Sequence, residues 1–234
     1  VYTGGSLKTK NTTISLIGTS NWHSDSMHIG AGGLLEMEGG SLHTSSGLFI
    51  DSADSSQGKP DNGVVSLKGT TVNTVIINRG NLSVLDCEFQ KYININTTEG
   101  LEGSGNTSTG GEIFRLDGFS GNTQSLLNFY DEISGDAYMG ISGTLKTTTL
   151  VDVSDTLSEN YKMVNNVSVG ANHTVTMEEG AIMQMEGHEL LIYGELIIEN
   201  HEEFKAISSS GSDGKIRVYT GGSLKTKNTT ISLI

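Results

Sequence analysis

Apolar residues recur at every second position in short runs, and each run is broken by glycine. LLIYGELIIEN (190–200), IRVYTGGSLKTKN (216–228), MHIGAGGLLEMEG (27–39) and MGISGTLKTTT (139–149) share this form: about four alternating residues, a glycine break, then a second alternating stretch. Period-two alternation predicts half-buried strands, and no segment carries the 3.6-residue period of a helix. Rung starts placed at Met27, Val64, Leu82, Ile113, Met139, Met163, Leu190 and Ile216 divide the chain into eight or nine segments of similar build. Strands recurring at that interval, with surplus residues leaving as loops, predict a single-stranded parallel β-helix, an all-β solenoid whose stacked coils bury one core.

Aligning the second strand of each unit puts Leu35, Leu196 and Leu224 in one column, with Gly39, Asn200 and Asn228 four residues later. Glycine and asparagine tolerate the left-handed backbone region, so this second column is expected to be a repeated corner, with asparagine side chains bonding from coil to coil. DSADSSQGKPDN (51–62) and the stretch 97–112 lack alternation and are rich in turn formers, so both are expected to be loops.

A longer repeat frames the shorter one. Residues 1–17 read VYTGGSLKTKNTTISLI, and residues 218–234 read the same at every position, so one period spans 1–217 and the next begins at 218. Chance does not produce such identity, so the chain reads as one continuous β-helix, 1–234, made of one period plus the start of the next. Each solenoid end then runs into the same sequence with no capping segment. The expected partner is the chain's own next copy, covalently in tandem or stacked head to tail.

Composition fits strands and turns. There are 31 Gly, 53 Ser plus Thr and 17 Asn, against one Pro and one Cys. The lone Cys87 excludes an internal disulfide framework. Net charge is −13, which argues against a nucleic-acid partner, and no apolar run spans a bilayer. No cleavable leader opens the segment, so an export signal would lie outside it.

The stretches 164–200 and 222–233, with their succession of strand, Gly-ended turn and "LxIxGxL" phrase, resemble the right-handed parallel β-helix proteins of the pectin-lyase-like class. Right-handedness is what the resemblance implies, since a solenoid period does not fix it. Many members of that class cleave polysaccharides with carboxylates on outward strand positions. The outward positions aligned here, Leu191 and Tyr193, Arg217 and Tyr219, His28 and Gly30, Gly140 and Ser142, include no acid. Glu36, Glu38, Glu178, Glu179, Glu186, Glu189, Glu199, Glu202 and Glu203 fall mostly beside turns and read as a solvated flank.

Other chemistry is sparse. His23, Asp25 and His28 lie close enough in sequence to suggest a divalent-ion site, and GSDG (211–214) is similar to one piece of a calcium repeat without its nine-residue period. Neither makes a defined site; no cofactor is expected beyond Ca²⁺ held loosely on acidic loops. Asp86, Glu88 and Lys91 form the one compact acid and base group in a strand-like stretch, too weak a pattern to name a site. Cys87, alternating with Leu85 and Phe89, is expected in the core, as are Met177, Met183 and Met185. Acceptor sequons for N-glycosylation occur at Asn11, Asn81, Asn96, Asn106, Asn166, Asn172 and Asn228.

These features lead to the expectation of a non-catalytic repeat module of an extracellular fibre, stalk or adhesin at the cell surface. The resemblance to microbial surface β-helices points the same way. The alternative is a β-helix that binds or cleaves polysaccharide, with surface glycans as partners.

Overall fold

The computed structural model describes residues 1, 4–17, 25–53, 61–157, 160–199, 203–206 and 214–233. The chain is all-β, its strands pairing in parallel as a β-solenoid of about eight turns. One short 3₁₀ helix, Thr123–Leu126, is the only helix among the described residues. None there is long and apolar enough to cross a membrane.

The coils group into two compact units, one of residues 1–95, 99–110 and 128–135, the other of 96–98, 111–127 and 136–234. In the first, the strands Ser6–Leu16, Leu34–Thr44, Val64–Lys68, Asn81–Leu85 and Leu101–Ser104 follow one another across one sheet. A second run joins Ser41–His43 to Thr71–Asn73, Glu88–Phe89, Asn106–Ser108 and Tyr130–Ile133. The third carries Ser26–Ile29, Gly47–Ile50, Ile76–Asn78 and Ile93–Thr97. Each coil therefore has three strands, and equivalent residues stack. Leu7, Leu35, Val65 and Leu82 share one inward column, so successive coils are unequal: the one from Val65 to Leu82 is little more than half as long as the two before it.

Alternation makes these columns. Leu35, Met37, Val65, Leu67, Leu82 and Val84 all point inward and are buried, while their neighbours face out. Removing such side chains from water is the main stabilising term, about 1.5–3 kcal/mol for each fully buried one.

The second unit repeats the scheme with bulkier filling. Phe114, Met139, Tyr161 and Met183 form one inward column, and Leu150, Met177 and Ile198 another. Met177, Met183 and Met185 are buried, as their spacing implied. Tyr161 is wholly buried; its hydroxyl donates to the Val151 carbonyl at 2.9 Å and meets Thr123 Oγ1 at 2.7 Å, tying the 3₁₀ segment to the coil.

The expected rung starts need correction. Met27 stands level with Leu48, whereas Val64 stands level with Leu34 on another face. Met139 is level with Tyr161 rather than Met163, since the register shifts between Ile141 and Gly143. Three alternating strands per coil look alike in sequence, so spacing alone does not say which face each occupies. The stretch 97–112 is a further correction: it contains the strands Leu101–Ser104 and Asn106–Ser108 and the start of Gly111–Asn122. Its inward positions hold Leu101, Gly103, Asn106 and Ser108, so apolar alternation stops after one residue although the strands are present. Of the other expected loop, Asp51–Ala53 and Asp61–Asn62 carry no strand, and residues 54–60 lie outside the described set.

Corners follow the expected chemistry and extend it. The register aligns Asn11, Gly39, Gly69, Asp86 and Gly105 at one corner, with φ of 50, 70, 58, 54 and 67°. A Cβ on Gly39 would collide with the Asn11 carboxamide, and one on Gly105 with the Asp86 carboxylate. Each acidic or amide side chain thus leans onto a glycine in the following coil. Asn228 holds the same corner at φ 49°, while Asn200 lies outside the described residues.

Candidate functional site

The 17-residue repeat adopts the same local structure at both of its occurrences. In the first copy, Gly4 has φ 73°, the strand Ser6–Leu16 follows, and Asn11 turns the corner at φ 50°. In the second, Gly221 has φ 87°, the strands Ser223–Lys227 and Thr230–Leu233 follow, and Asn228 turns at φ 49°. Gly32 and Asn172 occupy the corresponding turn position at φ 72 and 63°. In three of these turns the hydrogen bond closing it is visible: Gly33 N–H to the Gly30 carbonyl, His173 N–H to Gly170, and Gly222 N–H to Tyr219. Residues that accept positive φ at the corner and turn are what make this sequence fold locally as a coil.

The two copies differ in which edge is paired. The first pairs forward: Leu34 N–H donates to the Gly5 carbonyl at 2.9 Å, and Ser6–Leu16 runs in register with Leu34–Thr44. The second pairs backward, with Ser223 N–H donating to the Gly194 carbonyl at 2.8 Å and Ser223–Lys227 in register with Glu195–Glu199. One 17-residue sequence is therefore seen using both of its edges, one at each occurrence.

Outward positions beside these edges carry an ordered set of charges. Lys8 Nζ lies 2.7 Å from Glu36 Oε2, and Lys10 Nζ lies 3.1 Å from Glu38 Oε2. Lys68 stands next in that second column. Together with Thr9, Met37 and Ser66 they line an open groove of about 480 Å³. In the second copy Lys225 pairs with Glu195, and Lys227 stands in register with Glu199. Arg217 Nη2 donates to Glu189 Oε1 at 2.9 Å, an interaction that pushes the guanidinium pKa up. Glu36, Glu38, Glu195 and Glu199 are thus strand residues facing outward, several of them paired with cations, and not a flank gathered at turns.

Outward aromatic groups stack as well. Tyr193 and Tyr219 lie 4.5 Å apart at 14°, each 40% exposed, and His28 lies 4.5 Å from Phe49 at 7°. Gly140 and Ser142 are covered rather than open. Arg115 makes a bidentate pair with Glu112, at 2.7 and 2.6 Å, in the coil preceding Gly140, and a Cβ on that glycine would strike the Glu112 carboxylate. This pair was not legible in sequence, because the register that joins Arg115 to Gly140 passes through a bulge.

Other sequence candidates disperse. Asp25 is buried on the side of Met27, while His28 is exposed and has Ser26 Oγ 3.1 Å from its Nε2; His23 lies outside the described residues. Most of GSDG (211–214) also lies outside them, and no group of three or more metal-ligating side chains occurs among the described residues. Asp86 is committed to the corner, with Glu88 and Lys91 exposed nearby. Cys87 is buried, and desolvation pushes its thiol up despite bonds with Thr70 N–H and the Leu85 carbonyl, so it rests as a neutral thiol.

Among the sequons, Asn11, Asn81, Asn96, Asn166, Asn172 and Asn228 are exposed. Asn106 is the correction: it is wholly buried, its Nδ2 donating to the Val84 and Phe129 carbonyls at 3.3 and 2.9 Å, and its Oδ1 accepting from Cys87 N–H at 3.0 Å. The folded coil leaves no room for a glycan there. Comparison with protein-family models, with curated proteins and with solved structures finds no match for this chain.

Proposed function

We propose that the chain is a non-catalytic repeat module of an extracellular fibre, stalk or adhesin, extended by adding further copies of the same coil series. The observation that carries this reading is the double use of the 17-residue segment. Its first occurrence bonds to a following coil and its second to a preceding one, with the same corner and turn in each. A segment flanked on both sides would satisfy both edges, which answers the exposed-edge problem of any solenoid. Exposed sequons and an acidic surface of −13 suit a solvated extracellular filament.

At about 4.8 Å per coil, eight turns add roughly 40 Å per period. Electron microscopy of the material purified from its source tests the reading: filaments with an axial repeat of about 40 Å are expected. Discrete particles that bind or cleave an acidic polysaccharide would overturn it. That second reading is favoured by one observation, the exposed Tyr193–Tyr219 stack beside Arg217, a flat aromatic surface of the kind sugars pack against.

A further inference from the structure

We propose that neighbouring repeats share a single copy of the 17-residue coil, whose two lysines each sit between glutamates of the preceding and following coils. The outward charges thereby select a continuous tandem chain over blunt stacking of separate units. This inference rests on the repeat-module reading and specifies its junction.

Lys8 and Lys225 are the same residue of the repeat, as are Lys10 and Lys227. At one occurrence Lys8 reaches forward to Glu36; at the other Lys225 reaches back to Glu195. Lys10 reaches forward to Glu38, and Lys227 stands level with Glu199 behind it. When one coil plays both parts, the second column reads Glu199, Lys, Glu38 in register, about 4.8 Å apart. In the first, the lysine stands level with Glu36 ahead and Ile197 behind, and reaches Glu195 diagonally across the preceding strand. Lys68 continues the second column with the alternation intact. Opposite charges directly across adjacent strands stabilise the pairing, and like charges oppose it.

Blunt stacking gives another order. If two complete units meet end to end, the second copy of one abuts the first copy of the next, and Lys225 faces Lys8 while Lys227 faces Lys10. Two like-charge contacts then replace two alternating ones at the join. The preferred neighbour of either free edge is the acid-bearing coil of the repeat itself, and a second copy of the lysine-bearing coil is disfavoured.

A four-protein charge cycle tests this in the 234-residue chain. Sedimentation in 20 mM and 1 M NaCl would compare wild type with Lys8→Glu/Lys10→Glu, with Lys225→Glu/Lys227→Glu, and with all four changes together; circular dichroism would confirm that each keeps its strands. Each two-residue variant brings opposite charges together in a blunt join. Both are expected to self-associate about tenfold more tightly in 20 mM salt than either wild type or the fourfold variant, and to lose that advantage in 1 M salt. Because the two like-charge members bracket the set in net charge, overall repulsion does not mimic the pattern. Equal association of all four, no association in any, or tightest low-salt association by wild type would overturn the charge selection. Failure of the repeat-module reading shows separately, as absence of a coil-based axial repeat in source material.

Discussion

Two coils of the first unit lie on the same faces and are built from opposite materials. The coil of Val64–Lys68 and Thr71–Asn73 points Val65, Leu67 and Val72 inward, all buried, and holds its place through its own apolar side chains. The coil of Leu101–Ser104 and Asn106–Ser108 has one apolar residue facing inward, Leu101, which is level with Leu82, and points Gly103, Asn106 and Ser108 inward at its other positions. The rest of its apolar filling comes from elsewhere in the chain: Phe129, which packs where a Cβ on Gly103 would be, and Tyr130, both within one aromatic cluster with Phe89. Its order comes from the three hydrogen bonds of Asn106. One coil is held by non-directional burial, the other by a polar anchor, and substitution should tell them apart.

The largest effect is expected from Asn106→Ala, which strips the acceptor from the buried Cys87 N–H and a donor from two buried carbonyls. Leaving such groups unmet costs about 4 kcal/mol in total, read as a fall in urea midpoint, and Asn106→Leu should give no relief. Leu67→Ala should cost about 3 kcal/mol through lost transfer energy and a residual cavity. There Leu67→Met should be tolerated, and a polar coil as tolerant of isosteric apolar exchange as this one would erase the contrast. Gly103→Ala should cost about 2 kcal/mol by driving a methyl into the Phe129 ring. Pairing it with Phe129→Leu should recover most of that loss in a double-mutant cycle; additive losses would show that the ring does not depend on the glycine.

The last effect vanishes at neutral pH and appears only in alkali. Burial pushes the Tyr130 hydroxyl well above its ordinary value of 10, and Tyr161 is raised by the same cause. Below about pH 10 both are protonated whether the chain is folded or not, and their contribution is fully present. Above it the unfolded chain releases protons that the folded one keeps, so stability falls by about 1.4 kcal/mol per pH unit for each tyrosine. Tyr130→Phe should remove one such share of the slope between about pH 10 and 12, while leaving the slope near pH 7 unchanged.

The same contrast explains what could be read from sequence. Where inward positions are apolar, as at Leu35, Leu67 or Ile198, alternation declares the strand and its buried face. Corner residues were legible for a related reason: Gly39 and Asn228 must accept positive φ, and few residue types do so at low cost. Leu101–Ser104 and Asn106–Ser108 were hidden because Leu101 is their one inward apolar residue and the aromatic rings packed against the coil belong to residues 129 and 130. The ion pairs of Lys8 and Lys10 were hidden because period-two alternation says which way a lysine points and nothing about which coil stands beside it. That required the register, set by coils of unequal length that no fixed period describes.

The in-register parallel pairing also has a mechanical meaning. Backbone hydrogen bonds run from coil to coil, so tension along the stacking direction acts along the bonds and opens them a coil at a time. Freeing the short coil between Val65 and Leu82 releases about 55–60 Å of slack chain. A coil stack of this kind meets overload by paying out length in discrete steps, and because the neighbouring coil keeps its own corner and columns, each released coil has a template on which to wind back.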